Sequence, residues 1–313
     1  MHGTATKRCR APVHVNTQVY STANELRGFS VKNCASMPAP GSVLMCPPDH
    51  FDIIDVKNPF MVGKAGTLDK TLARQQWDAV RENYARQNKT VKLIDPVEGL
   101  EDMVFCSNPA MVGLTARMER VCLLSRMRHP SRRREVPYFE KWFGTEGYRI
   151  ERLKDDTAMF EGVGDCLWHP GKRLLWGGYG FRSDSEIYAE VAHIFEAPVI
   201  MLRLVNERFF HLDTCFCPLN QEAVLIYPSA FDPESLGLIL KIFPIVLVAE
   251  EAEATRLLAC NAAVVDSKAA IIQKGAEIAA RHVRAIGIET IPVDTSEFLK
   301  SGAPIASLRM PLY

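Results

Sequence analysis

At 313 residues, 47% of them hydrophobic and 24% charged, the chain has the composition of a globular domain with material for a sizeable core. Lysine plus arginine balances aspartate plus glutamate at 37 each, so no global field favours nucleic acid or an anionic membrane as a partner. No apolar run approaches the ~18–20 residues that span a bilayer, and a membrane role is not expected.

The first 24 residues carry Lys7, Arg8 and Arg10 without an acidic residue, the bias of an organellar transit segment, but they lack an apolar face. Residues 1–40 therefore read as a loose N-terminal extension and residues 41–313 as a single domain. The nine cysteines are odd in number and mostly sit in apolar contexts, as at Cys106, Cys166, Cys215 and Cys260. That usage fits free thiols in a reducing compartment, hence a cytoplasmic location with the organellar alternative open. Cys215 and Cys217 would share a face on a strand, but no further Cys or His completes a zinc set, so no metal is expected.

Helical spacing first appears at Ala73, Trp77, Val80 and Tyr84. It returns at Val136, Phe139 and Phe143, stopped by Gly144 and Gly147. Ile187, Val191 and Ile194 follow, with Ser183 and Ser185 as candidate caps. Asp232-Pro233 reads as an N-cap and first-turn proline for a helix burying Leu236, Leu240 and Phe243. A last helix runs from Glu277 to Ile286 with Ile278, Val283 and Ile286 inward, ended by Gly287. Strand-like runs lie between them at Val91–Ile94, Val199–Leu204, Ile245–Val248 and Ile288–Val293. The alternation argues for an α/β chain, and helix centres recurring at roughly 45–60 residues suggest a radial repeat. No Gly-rich phosphate loop follows a strand, which removes the main support for a nucleotide-binding reading.

Each unit also carries an apolar, strand-like run broken by a polar residue. The runs are Val104 to Asn108, Met159 to Glu161, Phe210 to Asp213, Leu258 to Asn261 and Ile305 to Ser307. Strands converging on an axis would aim these residues into one pocket. Glu161 lies in a stretch with Gly162, Gly164 and Asp165, where glycine permits close backbone approach and a buried glutamate needs a partner. His211 and Asp213, two residues apart, would share a strand face, and a histidine beside a carboxylate suits proton transfer near neutral pH. The basic run Arg132-Arg133-Arg134, followed by Glu135, reads as a solvated or locally paired surface.

These segments occur in a fixed order with others: Met45 to Pro48, Asn58 to Met61, Gly178 to Ser183, the run from Phe210 through Cys217 to Leu219, Cys260 to Ala262, and Glu297 to Gly302. Over roughly residues 40–313 the set resembles the amidinotransferase/dihydrolase (pentein) superfamily, most of all arginine dihydrolase. The resemblance implies a five-bladed pseudo-symmetric α/β propeller with its active site on the axis. It implies that Glu161 holds His211, that His211 transfers protons, and that Asp213 binds the guanidinium, for which a carboxylate is well matched. Asn108 stands where deiminases that stop at citrulline place an aspartate, and an amide can both donate and accept. That favours a dihydrolase, releasing ornithine, ammonia and carbon dioxide. Asn58, Arg126, Arg182 and Asn261 match substrate-binding positions, arginine being the expected reader of a carboxylate. Arg182 could instead pair with Asp184 or Glu186. The implied ligand is a small guanidino compound; no metal or organic cofactor is implied, and assembly of identical subunits stays open.

One departure stands at the chain's end. The family pattern has a Gly-Gly loop and then Cys-Leu, whereas this chain reads Ser301-Gly302-Ala303-Pro304-Ile305-Ala306-Ser307-Leu308. Ser307 thus occupies the position of the catalytic cysteine, whose thiolate is far more available at neutral pH than an alkoxide. The chain is expected to be an inactive or substrate-trapping variant of such a hydrolase, whether the serine is an engineered change or natural. An amidinotransferase, a dimethylarginine- or citrulline-directed relative, and a binding protein without chemistry are the alternatives.

Overall fold

The computed structural model describes residues 15–313, and the basic stretch at Lys7, Arg8 and Arg10 lies outside them. Five small sheets repeat one unit, an antiparallel pair of strands whose second member is flanked by a parallel outer strand. In chain order the first combines Ala110–Leu114, Arg120–Leu124 and Arg149–Glu151. The second combines Cys166–Trp168, Leu175–Tyr179 and Val199–Arg203. The third uses Phe216–Pro218, Ala223–Ile226 and Ile245–Val248, and the fourth Ala263–Val265, Ala269–Gln273 and Glu289–Val293. In the fifth, Met310–Leu312 from the end of the chain pairs with Ser42–Met45, which in turn pairs with Thr90–Leu93. This arrangement is the α/β propeller, and the last strand closes its ring.

A parallel pair needs a crossover, and a helix supplies it in every blade. Lys70–Arg86 is capped by Asp69, whose side chain accepts from the Leu72 N–H, and it buries Ala73, Trp77, Val80 and Tyr84. Trp77 has no exposed surface, so truncation to alanine would cost about 3–5 kcal/mol. Val136–Thr145 buries Phe139 and Phe143, and Tyr188–Phe195 buries Val191 and Phe195. Pro233–Ile242 starts at Asp232 as expected, but its inward face is Ser235, Leu238 and Ile239, and Leu240 is exposed. The helix is rotated because Ser235 Oγ accepts the Arg203 N–H, tying that face to the sheet.

Two expectations are corrected. Val19–Tyr20 adds a parallel strand beside Val199–Ile200, and Tyr20, Leu26 and Met37 are buried, so residues 15–40 are not a loose extension. The polar residues of the repeat do not lie on strands. Asn108, Asp213, Asn261 and Ser307 come two or three residues ahead of four inner strands and Glu161 comes five ahead of the remaining one, and Leu212–Thr214 and Ala306–Leu308 are 3₁₀ turns. Five segments meeting at one axis leave no room for further ladder partners, so the backbone bonds locally, as from Thr214 N–H to the His211 carbonyl. Among the described residues no helix is long and apolar enough to cross a membrane.

Candidate active site

The tips ahead of the inner strands bring together Asn108, Glu161, His211, Asp213, Asn261 and Ser307, all of them buried. Close backbone approach makes this convergence feasible. Gly162 adopts φ +55°, and a Cβ there would stand 2.3 Å from the Ala110 carbonyl oxygen. A Cβ on Gly164 would stand 2.3 Å from Asn108 Nδ2 and 3.3 Å from the His211 ring, so the missing side chain lets the amide and the imidazole approach one another.

Glu161 is the electrostatic anchor. Its Oε2 lies 2.7 Å from His211 Nε2 and 3.1 Å from Arg182 Nη1, and its Oε1 accepts the Arg128 N–H at 2.8 Å. Burial alone would raise its pKa, but the Arg182 guanidinium, the His211 contact and the charge of Arg132 hold the carboxyl well below the usual range. An ionised carboxylate only accepts, so His211 carries its proton on Nε2. Nδ1 makes no hydrogen bond among the described residues and is the atom left for chemistry. The turn after His211 is held by Asp165, which accepts the Leu212 N–H at 3.1 Å and the Ser183 hydroxyl at 2.6 Å. Ser183, anticipated as a helix cap, also accepts the Glu161 N–H at 3.0 Å.

His211 and Asp213 do not share a face. The 3₁₀ turn at Leu212 sends His211 to Glu161 and Asp213 to Ser307, whose hydroxyl donates to Asp213 Oδ2 at 2.9 Å. Burial pushes Asp213 up to about 7, against the opposing hydrogen bonds from Ser307 and Asn261, and its Oδ1 has no partner. Asn261, expected at a substrate-binding position, braces the Ser307 loop. Its Oδ1 accepts from Ile305 N–H and Ala306 N–H, and its Nδ2 donates to Ser307 Oγ at 3.1 Å and to the Asp213 carbonyl at 3.1 Å.

The other expected contacts separate. Asn58 Nδ2 donates to the Ser301 carbonyl at 3.0 Å and its Oδ1 accepts the Phe60 N–H, which ties the 58–61 turn to the Ser307 loop. Arg182 pairs with Glu161 and donates to the Lys57 carbonyl at 2.8 Å, while Asp184 is taken by Arg128. The alternative pairing with Asp184 or Glu186 is therefore absent, and the guanidinium faces Glu161. Arg126 is half-buried, and its side chain makes no hydrogen bond or ion pair among the described residues.

Arg132, read as part of a solvated or locally paired surface, does pair locally with Glu135, but it is 5% exposed and donates to Asn108 Oδ1 at 2.9 Å, a place at the centre that the sequence did not show. The available signal was Glu135 at i+3, just past the short helix Pro130–Arg133, a spacing that suits a local arginine–glutamate pair. Below the centre, a cavity of about 660 Å³ runs between the inner strands of all five blades. It touches Asp213 and Ala306 but not Glu161, His211 or Asn108, and Arg309 lines it with its Nε donating to Tyr84 Oη.

Comparison with known proteins places this geometry. A family model described as eukaryotic N,N-dimethylarginine dimethylhydrolase matches residues 52–274. A bifunctional arginine dihydrolase/ornithine cyclodeaminase of Nostoc sp. is 37% identical over 269 residues, covering 85% of this chain; the chain spans only 37% of that relative's length. The N(G),N(G)-dimethylarginine dimethylaminohydrolase of Mycobacterium tuberculosis is 33% identical, over 86% of this chain and 85% of its own length. Among solved structures, the N-terminal domain of an arginine dihydrolase from the cyanobacterial ornithine–ammonia cycle superposes with a TM-score of 0.81 at 36% identity. It covers 86% of this chain and 97% of that one, and was captured as a cysteine-to-serine mutant bound to substrate.

Proposed function

The chain belongs to the pentein family of guanidino-group hydrolases that includes dimethylarginine dimethylaminohydrolases and arginine dihydrolases, and we propose that its axial centre binds arginine or a close guanidino or ureido analogue. The observation that carries this reading is the pairing of His211 with an ionised Glu161 beside an unpaired Asp213 oxygen and the Ser307 hydroxyl. Asp213 Oδ1 offers a guanidinium N–H its acceptor, and Arg126 offers the ligand's carboxylate a cation.

With cysteine at position 307 the same residues would support hydrolysis. The thiolate adds to the guanidinium carbon, and the C–N bond breaks as His211 supplies the proton that leaves with ammonia. Water deprotonated by His211 then cleaves the C–S bond, giving a ureido product and restoring the thiol. A second round on the ureido carbon expels the second ammonia and leaves a carbamate, which falls to ornithine and carbon dioxide. Glu161 stabilises the imidazolium of each proton transfer.

Serine at 307 leaves binding and removes the thiolate. The Ser307 hydroxyl donates to Asp213 and makes no bond to His211, so the imidazole is not positioned to take its proton. That contact favours a second reading, a ligand-binding protein that retains the pocket without turnover. Both readings require the pocket to take a guanidino ligand, and calorimetric titration with L-arginine tests this. Saturable binding lost on Asp213→Ala is the expected result; absence of binding to the folded chain would overturn the assignment.

A further inference from the structure

The surroundings of Asn108 dictate the direction of its amide. Arg132 donates from Nε and Nη2 to the two carboxylate oxygens of Glu135 at 3.0 and 2.9 Å. Its Nη2 also reaches the Asp102 and Phe105 carbonyls at 3.1 and 3.2 Å, and its Nη1 donates to Asn108 at 2.9 Å. A guanidinium has donors and no acceptor, so the Asn108 atom facing it must be the oxygen. The amide orientation therefore follows from chemistry and not from an arbitrary choice between two similar atoms.

The consequence falls on the other end of the amide. Nδ2 is buried, has no partner among the described residues, and lies beside the His211 ring in the space left by Gly164. Across the centre, Asp213 Oδ1 is a buried acceptor that also lacks a partner. Asn108 Nδ2 is thus a buried orphan donor and Asp213 Oδ1 a buried orphan acceptor, alongside the free Nδ1 of His211 and the partnerless Ser107 hydroxyl. A ureido group matches both, its carbonyl oxygen accepting from Asn108 and its N–H donating to Asp213. A guanidinium carries only donors and would meet the Asn108 N–H with its own.

Resting on the reading of the centre as a guanidino or ureido site, we propose that Arg132 is a positioning residue that, by fixing the Asn108 amide, makes the centre select a neutral ureido ligand over a guanidinium. Arg132 touches no ligand itself. It acts by holding Asn108 Oδ1, and Glu135 holds Arg132 in turn. In a serine-bearing chain that does not turn substrate over, the selected ligand is an α-amino acid with a terminal ureido group, of which citrulline is the probe.

The test is calorimetric titration of the chain as it stands with L-citrulline and with L-arginine at one pH. One satisfied against one opposed hydrogen bond corresponds to about tenfold, so citrulline should bind about ten times more tightly. Arg132→Met frees the amide to rotate, and the affinity ratio should fall to within about twofold. Because that variant leaves Glu135 buried without its partner, the double change Arg132→Met with Glu135→Leu, which removes both charges, should give the same collapse. Asn108→Asp should reverse the order in favour of arginine. General damage to the fold would weaken both ligands alike and leave the ratio unmoved. Equal or arginine-favouring affinities in the parent, or a ratio untouched by both Arg132 variants, would overturn the role of Arg132 while leaving the guanidino site standing. Failure of the folded parent to bind either ligand would overturn the site reading, and the inference with it.

Discussion

Replacing Glu161 with glutamine probes the electrostatic centre at constant volume. In the native site one carboxylate, without solvent exposure, accepts from His211, Arg182 and the Arg128 backbone N–H. A glutamine whose oxygen keeps the Arg128 N–H turns its own donors toward Arg182 and His211. Arg182 is then a buried cation retaining only the Lys57 carbonyl at 2.8 Å and the face of Phe210, whose centroid lies 4.6 Å from the guanidinium carbon. Removing one partner of a buried pair costs about 3–5 kcal/mol, and these residual contacts place the expected loss near the lower bound, about 3 kcal/mol. Urea denaturation at pH 7.5 should show the midpoint falling with an unchanged slope. The pH dependence fixes the sign. Glu161 is held below its ordinary value in the fold, so its contribution is present above the ordinary carboxylate range and is lost as pH falls toward the depressed folded value. The gap between parent and Glu161→Gln should therefore narrow between pH 5 and pH 3. A variant within about 0.5 kcal/mol of the parent at pH 7.5, where surface substitutions fall, would refute the anchoring role, as would a gap that widens on acidification.

Gly164→Ala should cost about 1–3 kcal/mol, because its Cβ would stand 2.3 Å from Asn108 Nδ2, and should weaken ligand binding beyond that; unchanged titrations with L-arginine and L-citrulline would contradict the packing. Burial pushes Asp213 up to about 7, and only its ionised form pairs with a guanidinium, so arginine affinity should rise by nearly tenfold from pH 6 to pH 8. Asp165 and Glu135, pushed to about 6 and about 7, titrate nearby, and Asp213→Asn separates them by removing only its own share of that slope. In a Ser307→Cys background, Asn108→Asp should let the first ammonia leave and stall the second, so that citrulline accumulates; equal ornithine from both forms would show that Asn108 does not control the second step.

Much of this architecture was legible because repetition is a property of sequence. The helical faces at Trp77 and Phe139 and the polar runs recur with the blade and suggest a radial repeat around one pocket, whereas the five-bladed propeller and the residues expected at its axis came from the family resemblance that the ordered motifs carry. What stayed hidden depends on direction. Whether His211 and Asp213 share a face turns on a single 3₁₀ turn at Leu212, which carries no spacing signal. Asn261 and Asn58 were assigned to the ligand by position, yet Asn261 bonds to the Ile305 and Ala306 N–H groups, Ser307 Oγ and the Asp213 carbonyl, and Asn58 to the Ser301 carbonyl and the Phe60 N–H. Arg132 sits in a run of three arginines, of which Arg133 and Arg134 are exposed, and only the depth of its own side chain distinguishes it. The strand at Val19–Tyr20 is two residues long, too short for alternation to reveal it.

The central claim is that this is a guanidino-hydrolase centre in which Ser307 is what withholds turnover. Ser307→Cys and the parent, both first shown to bind L-arginine, should be incubated with it while ornithine, citrulline and ammonia are quantified together. The account predicts ammonia release by the cysteine form at least about a hundredfold faster than by the parent, with a covalent adduct at residue 307 visible by mass spectrometry. Equal rates in the two forms, or no ammonia from a Ser307→Cys protein that binds arginine normally, would contradict it.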